Sequence, residues 1–179
     1  LLTGRNQEEE VYKIELIMNQ AGVTTADRKV VPAARRVAEL TGAPAAALEL
    51  PDGKIITGKT SDLLGAASAV LLNALKALAG IDHEENIIAP ESLEPIQRLK
   101  TAYLGSRNPR LHTDEVLIAL SISAADHEDA ALAMKQLPKL AGCQAHISVM
   151  LSPVDIKKLK QLGIQFTMEA KYENQKNYH

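Results

Sequence analysis

A turn signal between two short apolar runs is the strongest local constraint on the fold of this chain of 179 residues. Asp52 and Gly53 stand between apolar runs at 45–50 and 55–57. An Asp-Gly pair favours the tight turn of an antiparallel hairpin, because glycine adopts a positive φ without a steric cost. The chain is therefore predicted to contain a β-hairpin, which excludes an all-helical fold.

The same segment, residues 53–60, matches the phosphate-loop pattern G-x-x-x-x-G-K-[ST]. A phosphate loop needs successive backbone N–H groups that curl round an anion, whereas the β-branched residues at 55–57 favour an extended strand. We therefore favour the hairpin and keep ATP binding through this segment as the weaker hypothesis.

Apolar periodicity and capping residues predict the remaining elements. Helices are expected at 8–20, 32–41, 61–78, 91–104, 113–125, 128–140 and 153–162, and further strands at 87–88, 145–151 and 164–168. Ser61 or Asp62, Thr113 and Ser152 are the expected caps of three of these helices. This order predicts an α/β fold, a three-layer sandwich with a mixed sheet that contains the hairpin and a parallel strand, helix, strand unit. Residues 1–24 are interpreted as an appendage helix, 25–170 as the α/β domain and 171–179 as a polar tail.

Composition excludes several classes of function. Lys plus Arg number 20 against 22 for Asp plus Glu, and aromatic residues make up only 3%, so we expect no nucleic-acid binding. The longest apolar stretch, 63–72, is about half of the roughly 20 residues that span a bilayer, so no membrane partner is expected. The single cysteine, Cys143, cannot form an intramolecular disulfide and suits a reducing cytoplasm.

Two polar segments are candidate ligand-binding sites. The first contains Lys59, Thr60 and Ser61 at the expected start of the buried helix 61–78, where backbone N–H groups attract anions. Plain helix capping explains these residues equally well.

The second candidate segment is the loop at 107–115. Arg107, Asn108 and Arg110 could clamp a phosphate or carboxylate, and His112 with Glu115 could serve acid–base chemistry. A solvated loop that leads into a capped helix is the alternative interpretation. We favour this segment as a functional surface, because polar loops carry binding sites more often than core positions do.

Other chemistry lacks a sequence signal. No G-x-S-x-G elbow occurs, and Cys143 has no visible activating base, so catalytic residues stay unassigned. A metal site needs at least three ligands that converge on one point, and Cys143 and His146 have no visible third partner. No metal site is therefore predicted, and no cofactor is assigned.

Three strings carry a family resemblance: Ala26-Asp27-Arg28-Lys29-Val30-Val31, the segment 50–65 that begins Leu50-Pro51-Asp52, and the segment 104–123 that begins Leu104-Gly105-Ser106. They resemble the C-terminal part of a mainly bacterial, uncharacterised family known as domain of unknown function eighteen-forty-six, or uncharacterised protein family zero-three-seven-one. The similarity extends from about residue 11 to 172 and implies no established activity. Some members are labelled ATP-dependent proteases. This chain contains no H-E-x-x-H motif, so its residues do not support a metalloprotease role.

The resemblance also implies a partner. Relatives are several hundred residues long and carry their own phosphate-loop-like motif in the N-terminal half, so this chain is expected to act with that N-terminal domain. The element order is similar to the cytidine-deaminase architecture, but the zinc signature H-x-E with P-C-x-x-C is missing, so deaminase chemistry is not expected.

Three functions follow as hypotheses. We favour a binding module for a small anionic or nucleotide-related molecule. The alternatives are a nucleotide hydrolase or transferase in its own right, and a structural or homo-oligomerisation domain.

Overall fold

The computed structural model describes residues 28–171. The predicted helix at 8–20 and the polar tail beyond Lys171 lie outside the described residues. The helices are α1 (Val30–Thr41), α2 (Ala66–Ala79), α3 (Pro90–Arg98), α4 (Thr113–Ser123), α5 (Glu128–Met134) and α6 (Pro153–Gln161). A π-helical turn, Leu99–Tyr103, continues α3, and a 3-10 turn, Leu137–Leu140, follows α5. The strands are β1 (Ala45–Glu49), β2 (Ile55–Lys59), β3 (Gln144–Ile147) and β4 (Gln165–Met168).

The four strands form one mixed sheet in the order β2-β1-β3-β4. Strand β1 is antiparallel to β2 and β3, and β3 is parallel to β4. The predicted hairpin is confirmed: Gly53 has a φ of 89°, and Asp52 Oδ1 accepts a hydrogen bond of 2.9 Å from the backbone N–H of Lys54. Because β2, β3 and β4 run in the same direction, their carboxyl ends meet at one edge of the sheet.

Gly58 allows β2 to pack directly on α2. A Cβ atom added to Gly58 would lie 2.4 Å from the backbone N of Val70, inside any permitted contact. Every residue of 55–59 is also paired with β1. The segment that resembles a phosphate loop is therefore an extended strand, and its second glycine serves helix packing.

The sheet separates two helical layers, which confirms the three-layer α/β sandwich. On one face, Leu48 and Ile147 pack in a large core cluster with Leu71 and Leu75 of α2 and with apolar residues of α4, α5 and α6. On the other face, α1 places Val30 and Ala34 in a small cluster with Ala47, Ala33 and Ile55. Alternation of side chains along β1 assigns Leu48 to one layer and Ala47 to the other.

Several predicted boundaries are wrong. Helix α2 begins at Ala66, with Gly65 as its N-cap, instead of at residue 61. Leu64 is held in a bridge with Leu111, and the backbone N–H of Leu111 donates to the carbonyl of Leu63 at 2.9 Å. Because this tertiary pairing keeps the chain extended, Ser61 does not cap the helix.

Other differences are smaller. Residues 87–88 form no strand; Ile87 and Ile88 are buried in a bend that fills the large core. Thr113 is the first residue of α4 and His112 its N-cap, whereas Ser152 caps α6 as predicted, accepting from the backbone N–H of Asp155. None of the helices in residues 28–171 combines the length and the apolar character that a bilayer crossing requires.

Candidate functional site

A cavity of about 250 Å³ lies at the carboxyl ends of β2 and β3. Thr60, directly after β2, forms one wall, and Val149, Met150 and Leu151, just after β3, form another. Ligands of α/β proteins bind at this edge of a sheet, because the connections from strands to helices leave a crevice there. The cavity is therefore the best-placed candidate site in the described part of the chain.

Three helices begin at this cavity. Gly65, His112 and Ser152 are the N-caps of α2, α4 and α6, and all three residues line it. The free backbone N–H groups of a helix start carry a partial positive charge. Helix α2 has neither a side-chain cap nor an acidic residue in its first turn, whereas α4 and α6 carry acidic residues there. The start of α2 is thus the least compensated of the three.

Basic and polar side chains from the loop before α4 complete the wall. Arg110, Asn108 and His112 line the cavity. The loop is fixed from within: Asn108 Oδ1 accepts from the backbone N–H of Arg110 at 3.0 Å, and Arg110 Nε donates to the carbonyl of Ser61. These bonds attach the loop to the segment that follows β2.

Glu115 holds His112 in place from behind. Glu115 Oε1 accepts 2.8 Å bonds from Lys100 Nζ and from the backbone N–H of His112, and it lies 3.3 Å from His112 Nδ1. Burial opposes ionisation of Glu115, but the hydrogen bonds from His112 and Lys100 outweigh it and lower the pKa of this carboxyl to about 2. The hydrogen bond to Glu115 raises the pKa of His112 against the effect of burial, and Asp155 raises it further. This arrangement favours an imidazolium at the cavity.

Asp155 is a buried carboxylate in the same wall. It is only 7% exposed, and its Oδ1 accepts from Thr113 through the backbone N–H at 2.9 Å and through Oγ1 at 2.7 Å. These bonds tie the start of α4 to the first turn of α6. No donor within residues 28–171 bonds to Oδ2 of Asp155. Sequence reasoning missed this residue, because Ser-Pro-Val-Asp was interpreted only as a helix start.

Comparison with known proteins assigns the chain to a family. The family described as "Domain of unknown function DUF1846, C-terminal" matches residues 26–178. The chain belongs to this family. The resemblance inferred from the sequence is thereby confirmed.

Curated relatives are much longer than this chain. UPF0371 protein cu0538 of Corynebacterium urealyticum is 56% identical over 160 residues, which cover 89% of this chain and 32% of the relative. UPF0371 protein str1377 of Streptococcus thermophilus is 52% identical over 174 residues, which cover 97% of this chain and 35% of the relative. The chain spans about a third of the length of the curated relatives it matches.

Only some of the predicted site residues of this DUF1846 C-terminal domain lie at the cavity. Thr60, Asn108, Arg110 and His112 line the cavity, and Glu115 supports His112 from outside the lining. Lys59, Ser61 and Arg107 are exposed and do not form part of the lining. Lys59 lies beyond it because side chains alternate along β2, and its neighbour Gly58 faces α2.

A second polar cluster lies under the α1 layer. His146 is fully buried, with Nδ1 2.7 Å from Thr167 Oγ1 and Nε2 3.2 Å from Glu169 Oε2. Arg28 donates to Thr167 Oγ1 and to the carbonyls of Ala145 and Gln165. Burial lowers the pKa of His146, although Glu169 opposes this change.

The sequence provides little sign of this second cluster, since Arg28 and Thr167 are 139 positions apart. Within residues 28–171, no group of three His, Cys, Asp or Glu side chains is arranged to hold a metal ion.

Proposed function

We propose that this domain binds a small phosphorylated or carboxylated molecule in the cavity at the carboxyl ends of β2 and β3. The observation that carries the proposal is the start of α2. It has no side-chain cap and no acidic residue in its first turn, and it opens onto a cavity that also contains Arg110 and His112. An anion there would accept hydrogen bonds both from backbone N–H groups and from charged side chains.

The expected affinity is modest. A helix start contributes about 0.3–1 kcal/mol to binding an anion, and a hydrogen bond to a charged group about 1.5–3 kcal/mol. With one such bond each from Arg110 and His112, these contributions correspond to a Kd on the order of 1 mM for a free inorganic anion. Further groups on the natural ligand, or contacts from another part of the protein, would then supply the remaining affinity.

We propose further that the domain works with the rest of the longer protein. This is supported by its relatives, which are about three times as long, and by the family description, which names a C-terminal domain. Because Gly53–Thr60 forms a turn and a strand, nucleotide binding by the whole protein is assigned to the phosphate-loop-like motif that the family resemblance implies for the N-terminal half.

A thermal-unfolding experiment tests anion binding. The 179-residue chain is heated with 10 mM sulfate or phosphate and with chloride at equal ionic strength. A Kd of about 1 mM predicts a stabilisation of roughly 1.4 kcal/mol, which raises Tm by about 4 °C. Arg110→Gln should lose most of this rise, and the exposed matched control Arg107→Gln should keep it. The proposal fails if neither anion raises Tm, or if both variants respond equally.

Catalysis is the second candidate function, and the His112–Glu115 pair favours it, because a histidine oriented by a carboxylate is a common general acid or base. Turnover of nucleotides or phosphate esters by the 179-residue chain, abolished in His112→Asn, would support a hydrolase or transferase. An assembly domain predicts neither turnover nor an anion-dependent rise in Tm.

A further inference from the structure

Simple anion binding leaves one feature of the cavity unexplained. Asp155 places a buried carboxylate in the same wall as Arg110 and His112, where its negative charge repels any anion. A buried carboxylate carries a cost that hydrogen bonds must offset.

The two carboxylate oxygens of Asp155 are used unequally. Thr113 donates both of its hydrogen bonds to Oδ1, which fixes the orientation of the carboxylate. Oδ2 receives no hydrogen bond from any donor within residues 28–171. An ionised carboxylate has about four acceptor positions, so Oδ2 is an oriented acceptor at the cavity wall.

We propose that the ligand is a hydroxylated organic phosphate, whose phosphate binds beside Arg110, His112 and the start of α2, and whose hydroxyl donates to Asp155 Oδ2. This inference rests on the proposed anion site and adds the chemical class of the ligand. The carboxylate then acts as a selectivity element: it weakens binding of a bare anion and favours one that brings its own donor.

A hydroxyl suits this acceptor better than an ammonium group does. The cavity wall already carries the guanidinium of Arg110 and the imidazole of His112, whose pKa is raised. A further cation would be repelled by these groups, whereas a neutral hydroxyl would not.

Size restricts the ligand further. The cavity measures about 250 Å³. Pockets for drug-sized ligands occupy roughly 300–1,000 Å³, so this cavity suits a molecule of roughly a dozen non-hydrogen atoms. A phosphate of a three- or four-carbon polyol or sugar is within this size, and a nucleoside triphosphate is too large to be enclosed.

Calorimetric titration of the 179-residue chain with matched phosphates tests the inference. Glycerol 3-phosphate and n-propyl phosphate share a three-carbon chain and differ in two hydroxyl groups. The wild-type protein should bind glycerol 3-phosphate about tenfold more tightly, the effect of one hydrogen bond to a charged acceptor. Phosphoethanolamine, which brings an ammonium group instead, should show no such gain. Equal affinity for glycerol 3-phosphate and n-propyl phosphate would overturn the inference.

Asp155→Asn reports on the acceptor itself. The asparagine keeps the size of the side chain and an oxygen that accepts from Thr113. The tenfold preference for glycerol 3-phosphate should disappear, and n-propyl phosphate and inorganic phosphate should bind more tightly because the repelling charge is gone. Glu128→Gln, an exposed change in the first turn of α5, is the matched control and should keep the wild-type preference.

The outcomes separate the two proposals. If wild-type protein binds no phosphate of any kind, the anion site itself is wrong. If it binds inorganic phosphate but the preference is absent, or persists in Asp155→Asn, only the assignment of a hydroxylated ligand is wrong. Should Asp155→Asn fail to fold, the wild-type comparison of the three organic phosphates still decides.

Discussion

Two histidine–glutamate pairs lie in different surroundings in this domain and differ in the preferred charge of their imidazoles. His112 is 3.3 Å from Glu115 at the cavity, and His146 is 3.2 Å from Glu169 under the α1 layer. The hydrogen bond to glutamate raises the pKa of His112, whereas burial lowers the pKa of His146. Contact with a carboxylate alone therefore does not determine whether a histidine carries charge.

Solvent access and neighbouring charges explain the difference. The His112 side chain is 32% exposed, and the negative charge of Asp155 lies close by. The His146 side chain is fully buried, and the positive charges of Arg28 and Arg35 oppose its protonation. One pair thus favours a cation at a cavity, and the other favours a neutral imidazole in a buried network.

The largest effect is expected from breaking the buried network. Arg28→Met removes the guanidinium that donates to Thr167 and to two main-chain carbonyls, so these acceptors lose that hydrogen bond. Unsatisfied buried polar groups cost about 1–3 kcal/mol each, so we expect a loss of about 3 kcal/mol in the free energy of unfolding. Urea denaturation measures it, and Arg36→Met, an exposed change on α1, is the matched control.

Arg28→Met should leave the response to sulfate unchanged, because the network lies away from the cavity lining. A variant as stable as Arg36→Met would show that the network contributes no more than a surface arginine does. A variant that is destabilised and has also lost the response to sulfate would contradict the separation between the two regions.

An intermediate effect is expected at the cavity. His112→Asn removes the cation, so sulfate affinity at pH 6 should fall about tenfold, the effect of a charged hydrogen bond. In the wild-type protein, affinity should be highest below the raised pKa of His112 and decline as the pH rises through it. Sulfate keeps its charge over this range, so calorimetry at pH 6 and pH 8.5 isolates the imidazole. A pH dependence that survives in His112→Asn would assign the effect to another group.

The smallest effect is expected from the titration of His146. Because its folded pKa lies below the unfolded value, its contribution to stability is present above about pH 6.5 and is lost as the pH falls through the folded pKa. His112 has the opposite sign, with a contribution present below about pH 6.5 and lost as the pH rises. Between pH 7.5 and pH 5, wild-type protein should therefore lose more of its free energy of unfolding than His146→Gln does.

Urea denaturation at the two pH values measures this difference, and the contribution of His112 cancels because both proteins contain it. Equal losses in the two proteins would show that His146 is not held in its neutral form. The two histidine–glutamate pairs would then differ in solvent exposure but not in the preferred charge of the histidine.

Local signals along the chain predicted much of this fold. The Asp-Gly turn specified the hairpin, Ser152 and Pro153 marked the start of α6, and the β-branched run correctly favoured a strand over a phosphate loop. These features depend on backbone preferences that act within a few residues, so they can be read without knowledge of the fold. The loop at 107–112 was chosen as a candidate for its polar side chains, and three of its four candidate side chains line the cavity.

Contacts between distant residues required the tertiary structure. Leu111 pairs with Leu64, so α2 begins only at Ala66. Thr113 orients Asp155, which lies 42 positions away in the sequence. His146 meets Glu169 only because β3 and β4 lie side by side. The sequence alone determined the hairpin turn, the extended β2 and the start of α6, since those choices are local. Packing decided which helix starts share a cavity and which histidine favours a charge, since hydrogen bonding and desolvation depend on neighbours that come together only on folding.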